Sequence, residues 1–142
     1  MNEIINLLQE KNCYLEKFFT LNEEELVRLM DLDFENIERF YEARDGILEI
    51  LKTIDKKIEE KNQEDFSVEV ANSEQKRQVL ESMRIKNELV QRVLAQDLQI
   101  LSCIEEEKSN IIIELRKSKT VRKAIGSYKS GMSKRVSFDE SV

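Results

Sequence analysis

Residues 73–118 decide the fold, and they read SEQKRQVLESMRIKNELVQRVLAQDLQILSCIEEEKSNIIIELRKS without a glycine or a proline. Large apolar side chains recur three or four positions apart, which places them along one side of a helix. This apolar stripe consists of Leu80, Met83, Val90, Leu94, Leu101, Ile104, Ile111 and Leu115. The pattern predicts one long helix from Ser73 to about Lys123. At 1.5 Å per residue this helix is about 75 Å long, so it needs partner helices from this chain or from another.

The composition of the chain is typical of a helical bundle or a coiled coil. It has no proline, only three glycines, and 37% charged residues against 6% aromatic residues. The charge is unevenly placed, because residues 1–115 carry 15 basic and 27 acidic side chains, whereas residues 116–142 carry 8 basic and 2 acidic ones. The acidic body disfavours nucleic acid as a partner, and only the basic tail can attract phosphate or an acidic protein.

The residue types that common catalytic and metal sites require are scarce. The chain contains no histidine, which removes the usual general base and metal ligand. Three glycines are too few for a phosphate-binding loop, and Cys13 and Cys103 match no metal-ligand spacing. We therefore expect no enzyme activity, no metal, no cofactor and no small-molecule substrate. With two cysteines, no signal peptide and no apolar run that would insert into a membrane, the expected location is the cytoplasm.

The N-terminal part of the chain predicts two helices. Residues 2–19 form an amphipathic helix with its large apolar side chains on one face. Thr20 with Glu23, or Asn22 with Glu25, has the spacing of a capping box. We therefore expect the first helix to stop near residue 20 and a short second helix to begin there.

Residues 34–61 predict the next helix, which follows a bend in the MDLDF sequence. Its apolar positions alternate spacings of three and four, as in a coiled-coil seam. The seam consists of Ile37, Phe40, Arg44, Ile47, Leu51, Ile54 and Ile58. Gly46 costs about 1 kcal/mol relative to alanine inside a helix, and its presence predicts a close helix crossing.

Polar residues at seam positions are expected to fix the register or the oligomeric state. Arg44 needs an acceptor or a route to water, because a buried unpaired guanidinium is costly. Asp97 on the long helix is one candidate partner. The alternative is that the aliphatic stem of Arg44 lies along the seam while its head reaches water. Asn87 is a further polar residue in the stripe of the long helix.

The helix lengths predict the architecture. Residues 62–72 read as a loop, after which Asn72 or Ser73 caps the long helix. The predicted helix of residues 34–61 is shorter than the long helix and pairs with only part of it. The remaining part of the long helix is left for the first helices to cover. We therefore predict an all-α, elongated antiparallel bundle of three or four helices over residues 1–124, with coiled-coil-like packing on one long C-terminal helix. Residues 125–142 are expected to form a basic, flexible tail.

Two stretches near the C-terminus are candidates for partner binding. Ile111 to Ile113 point about 100° apart around the helix, so they are either buried between two helices or present an apolar surface to a partner helix. Val121, Ile125 and Tyr128 keep helical spacing, but Gly126 indicates fraying. The basic tail is thus either disordered or an arm that docks through an aromatic anchor.

Three stretches carry a resemblance to a known family: the LLQEKNCYLEKFFTL helix, the EEELVRLMDLDFENIERFYEARDGILEILKTID segment and the long helix around KNELVQRVL. Over roughly residues 1–115 they resemble the flagellar type III export chaperones of the FlgN and FliT kind. Proteins of that kind are small cytoplasmic helical bundles that bind terminal helices of filament-junction or cap subunits and escort them to the export gate. The resemblance implies partner-binding residues at Ile111, Ile112, Ile113, Leu115, Val121, Ile125 and Tyr128.

The sequence thus predicts a non-enzymatic export chaperone that sequesters an amphipathic helix of a flagellar subunit. Two alternatives stay open. The first is a structural coiled-coil protein whose long helix pairs with a copy of itself in a homodimer. The second is an adaptor that binds nucleic acid or an acidic partner through residues 116–135, which steep salt dependence would reveal.

Overall fold

The structure is a computed structural model that describes residues 1–64 and 72–133. Within these residues, side chains are described except at positions 64, 121 and 127–133. Residues 65–71 of the predicted loop lie outside the described residues.

The described residues form three helices, α1 (Asn2–Met30), α2 (Ile37–Glu64) and α3 (Ser73–Ser133). The prediction of an all-α helical bundle is confirmed. The chain divides into two compact units, a first unit of residues 1–101 and a second unit that begins at Ser102. Because α3 contributes to both units, each unit is described by itself.

The first unit is an up-down-up bundle of three helices. Lys61 near the end of α2 pairs with Glu3 at the start of α1 over 2.8 Å, so these two helices are antiparallel. Gln75 at the start of α3 donates a hydrogen bond to the side chain of Asn2 over 2.9 Å, so α3 runs parallel to α1. One leucine from each helix meets in the core. These leucines are Leu15, Leu51 and Leu89, with Tyr14, Ile47 and Ile85 packed against them.

Helix α1 is continuous where the sequence predicted a break. Asn22 and Glu25 have capping-box spacing, but both are fully buried and their side chains bond to other parts of the bundle. The Asn22 amide donates to Gln96 on α3 over 3.1 Å, and Glu25 accepts a hydrogen bond from Asn36 over 3.0 Å. The predicted break near residue 20 is wrong, because these polar side chains serve tertiary contacts rather than a helix terminus.

The predicted bend in the MDLDF sequence is confirmed. Leu32 has a φ of 60°, which is the left-handed conformation common just after a helix. Its N–H donates to the carbonyl of Leu29 over 3.1 Å, and the N–H of Asp33 donates to the carbonyl of Arg28 over 2.9 Å. This pair of bonds is the Schellman motif, and it ends α1 firmly.

Helix α2 confirms the predicted seam and corrects the prediction for its glycine. Phe40, Leu51 and Ile54 are buried, and the other seam residues are half-buried. Gly46 is exposed, and a Cβ added there would meet nothing within 4 Å. The predicted close helix crossing at Gly46 is therefore wrong, since this position faces outward from the bundle.

Helix α3 begins with a reciprocal cap. The Asn72 side chain accepts from the Gln75 N–H over 2.8 Å, and the Gln75 side chain accepts from the Asn72 N–H over 3.1 Å. Of the two predicted caps, Asn72 is therefore the one used. The helix then continues through Gly126 to Ser133, so the fraying predicted from the glycines is wrong. Helix propensity is a weak preference that the neighbouring helix formers override here.

Candidate helix-docking surface

The face that α3 turns to the first unit is not the stripe predicted from the sequence. Its buried residues, here called the inner face, are Ser82, Leu89, Val93, Gln96 and Ile100. Of the eight residues in the predicted stripe, seven are exposed and only Ile104 is half-buried. The expectation that the preceding helices cover the stripe is therefore wrong. Helices α1 and α2 pack against the inner face instead.

The backbone of Ser82 and the side chain of Gln96, both on the inner face, accept or donate hydrogen bonds inside the bundle. Asn12 on α1 donates a hydrogen bond to the carbonyl of Ser82 over 2.9 Å. Gln96 donates to the carbonyl of Phe19 over 3.0 Å and to the carboxylate of Glu23 over 2.8 Å. Hydrogen bonds of this kind remove most of the cost of burying polar groups, so α3 can turn this mixed face inward.

The predicted pairing of Arg44 with Asp97 is confirmed. Two bonds join the guanidinium to the carboxylate, over 3.2 Å and 3.3 Å, and Asn22 donates a third to Asp97 over 3.2 Å. The guanidinium also stacks on aromatic rings, with its Cζ atom 4.8 Å from the Phe18 ring centre and 5.3 Å from that of Phe40. A planar, two-bond pair between rings fixes the register of all three helices.

A second apolar face of α3 in the first unit points to solvent. This outer face consists of Leu80, Met83, Val90, Leu94, Leu98 and Leu101, all of them exposed. Leu80 keeps 68% of its surface accessible and Leu98 keeps 71%. At 3.6 residues per turn, the outer face lies roughly 130° around the helix axis from the inner face. A row of exposed large apolar side chains, interrupted by Asn87 between Met83 and Val90, marks an interaction surface rather than ordinary protein surface.

Sequence reasoning found most of the outer face but missed Leu98, because the stripe was continued through Asp97. The spacing from Leu94 to Leu98 and on to Leu101, of four and then three residues, is the signal that locates it. Asn87, which was predicted as a seam residue, is exposed beside the outer face. It does not join the Arg44 and Asp97 pair.

The arginines beside the outer face are already paired along their own helix. Arg84 bonds to Glu88 over 2.7 Å, and its hydrogen bond to Glu81 lowers the pKa of that carboxyl. Arg77 likewise lowers the pKa of Glu74 through a hydrogen bond. These exposed pairs neutralise each other, so the border of this face carries little net charge from its arginines.

A groove lies at the end of the bundle where α1 and α3 begin, and it adjoins the outer face. Its volume is about 500 Å³, within the range of roughly 300–1,000 Å³ that ligand pockets occupy. All three helices contribute to its apolar lining, which is Met1, Ile4, Leu8, Ile58, Val79, Leu80 and Met83. Leu80 and Met83 belong to both the groove and the outer face. No sequence signal locates this groove, because it forms only when three separate helix ends meet.

The residues that the resemblance assigns to partner binding lie in the second unit. Those with described side chains are Ile111, Ile112, Ile113, Leu115 and Ile125, and all are exposed. The alternative that the three isoleucines are buried between helices is therefore wrong. The side chains of Val121 and Tyr128 lie outside the described residues, and so does the tail from residue 134.

The described residues contain no cluster of metal-binding side chains. Across residues 1–64 and 72–133, no three cysteine or carboxylate side chains are placed to share a metal ion. Cys13 is exposed and Cys103 is half-buried, and both are free thiols. In the same part of the chain, no helix combines the length and the apolar character that crossing a membrane requires.

Comparisons with protein-family models, curated proteins and solved structures find no match for this chain. The outer face of α3 and the adjoining groove are the candidate functional surfaces of the first unit.

Proposed function

We propose that this protein binds an amphipathic helix of a partner protein along the outer face of α3. The observation that carries the proposal is the exposure of six large aliphatic side chains in one row on a helix whose opposite side is already packed. From Leu80 to Leu101 this row is about 32 Å long, enough for roughly 20 residues of a partner helix.

The mechanism is burial of apolar surface. Apolar positions spaced three and four residues apart on the partner helix replace water on the outer face. Each square ångström of apolar surface removed from water contributes about 25 cal/mol before the cost of ordering the partner. The inner face stays packed throughout, so binding needs no rearrangement of the first unit.

The family resemblance suggests the cellular role and the kind of partner. We propose that the protein acts in the cytoplasm as a flagellar export chaperone, with a terminal helix of a filament-junction or cap subunit as its client. Covering the client helix would keep the subunit unpolymerised until the export gate receives it. The outer face is the first candidate for the client site, and the exposed residues from Ile111 to Leu115 are the second.

The test is retention of flagellar subunits on the immobilised full chain from a lysate of a flagellated bacterium, with each retained protein identified by mass spectrometry. We expect a filament-junction or cap subunit to be retained, and we expect Leu94→Asp with Leu98→Asp to abolish this. Val27→Asp places the same charge on an exposed position of α1 and serves as the control. Loss of retention only with Ile112→Asp would move the client site to the second unit. No retained flagellar subunit would contradict the chaperone proposal.

One observation favours a second candidate function, a homodimer that pairs through α3. The exposed row has spacings of three, four and seven residues, which resemble those of a coiled-coil seam and suit a second copy of the same helix. Light scattering after size-exclusion chromatography separates the two proposals. A dimer at micromolar concentration that Leu94→Asp dissociates supports the coiled-coil homodimer, whereas a monomer supports the helix-binding protein.

A further inference from the structure

We infer that the groove between the three helix ends receives an acidic end of the partner helix, so that the protein selects amphipathic helices that carry carboxylates beside their apolar anchors. This inference rests on the proposed function, because the groove continues the outer face through Leu80 and Met83. A helix lying along the outer face therefore reaches the groove without leaving apolar surface.

The charges at the groove carry the inference. Three lysines and one carboxylate line it. Lys11 is bound to Asp55 over 2.7 Å, which cancels one positive charge against the negative one. Lys76 and Lys86 have no ion-pair partner among the described residues, unlike the neighbouring Arg77 and Arg84. Two unpaired ammonium groups thus border an apolar surface on a chain whose net charge is −6.

The groove carries positive charge on a part of the chain that is otherwise acidic, and this favours an acidic partner helix. The acidic side chains that dominate residues 1–115 repel an acidic helix over most of the surface. At the groove, the unpaired Lys76 and Lys86 stand next to the exposed Leu80 and Met83. A carboxylate placed there gains from charge complementarity, which contributes more to specificity than to overall affinity. A basic helix end at the same place would meet repulsion from both lysines.

The experiment uses two synthetic amphipathic peptides with the same apolar positions and a fluorescent label. One has glutamates at its ends and the other has lysines. Fluorescence anisotropy with the full chain at low ionic strength measures both dissociation constants. We expect the acidic peptide to bind about tenfold more tightly, equivalent to about 1.4 kcal/mol, and we expect the difference to shrink as salt is added.

Charge-reversal substitutions test whether Lys76 and Lys86 cause the preference for the acidic peptide. Lys76→Glu with Lys86→Glu is expected to remove the preference for the acidic peptide. The matched control is Lys56→Glu with Lys57→Glu, which changes the net charge equally on the exposed surface of α2 and is expected to preserve the preference. Far-UV circular dichroism and thermal unfolding check that each variant folds as the parent chain does.

The outcomes separate this inference from the proposed function. Equal binding of both peptides, abolished by Leu94→Asp with Leu98→Asp, would overturn the groove inference and leave helix binding in place. Loss of the preference in the Lys56 and Lys57 control as well would show a non-specific charge effect, and it would also overturn the inference. A dimer that Met83→Asp dissociates would identify a second copy as the occupant. Failure of both peptides to bind would overturn both proposals.

Discussion

The two faces of α3 in the first unit reverse the usual distribution of residues. The inner face includes Ser82 and Gln96, which are buried, whereas the outer face displays leucines to solvent. The Gln96 side chain is bonded to α1, so burying it costs little. Among the described residues of the first unit, none covers the outer leucines. Hydrophobicity therefore does not decide which side of this helix packs, and the availability of matching partners does.

The sharpest test of this comparison uses two adjacent residues. Ile100 is 1% exposed and Leu101 is 54% exposed. Ile100→Ala should lower the free energy of unfolding by about 3 kcal/mol, because it leaves a cavity in the core. Leu101→Ala should change it by less than about 0.5 kcal/mol. Urea denaturation followed by circular dichroism measures both, and equal losses would mean that α3 is rotated from the orientation described here.

The next largest effect concerns the polar contacts of the inner side. Asp97→Ala removes the carboxylate that Arg44 and Asn22 share, and should lower the free energy of unfolding by about 2 kcal/mol. The side chain of Asp97 is partly accessible, which keeps this below the cost for a fully buried pair. Glu88→Ala, which breaks an exposed ion pair on the other side of α3, is the control and should have no measurable effect. Equal effects of the two substitutions would contradict a register role for Asp97.

A third prediction extends the comparison to α2. Gly46 faces outward with open space around it, so Gly46→Ala should raise the free energy of unfolding by roughly 0.5–1 kcal/mol. The reciprocal change Ala43→Gly, at a nearby exposed position, should lower it by a similar amount. The melting temperatures of the two variants should shift in opposite directions. A loss of stability in Gly46→Ala would show that the added methyl group meets a neighbour after all.

The smallest expected change in stability comes from the outer face. Leu98→Gln should alter the free energy of unfolding by less than about 0.5 kcal/mol. The same substitution should reduce the fluorescence of a dye such as ANS, which binds exposed apolar surface. Val27→Gln removes an exposed apolar side chain of α1 that lies outside the outer face, and it should reduce the dye signal less. Equal reductions would mean that the outer face is not a continuous apolar surface.

Several features of this fold could be predicted from the sequence, and others could not. The seam of α2 and the bend after α1 were predicted, because each depends on residues close in sequence. The cap at Asn72 and the Arg44–Asp97 pair were each one of two predicted alternatives, and the structure decides between them. The continuity of α1 was missed. Asn22 looks like a helix cap until its partner, Gln96, is known to lie beside it.

The choice between the two sides of α3 was missed for a similar reason. The outer face contains more large aliphatic residues than the inner face, so periodicity favoured it as the packing stripe. The inner face becomes the better packing surface only when Asn12, Phe19 and Glu23 supply its hydrogen bonds. Those partners lie about 70 residues away in sequence, and no local pattern links them to α3.

Labelling of one introduced thiol, at position 98 or at position 93, tests the central claim most directly. In a chain carrying Cys13→Ser and Cys103→Ser, the thiol introduced by Leu98→Cys should react rapidly with a maleimide, and that of Val93→Cys slowly. Addition of the acidic amphipathic peptide should slow labelling at position 98 about tenfold and leave position 93 unchanged. Slow labelling at position 98 without peptide, or an unchanged rate with the peptide bound, would contradict the claim that the outer face of α3 is an open docking surface for a partner helix.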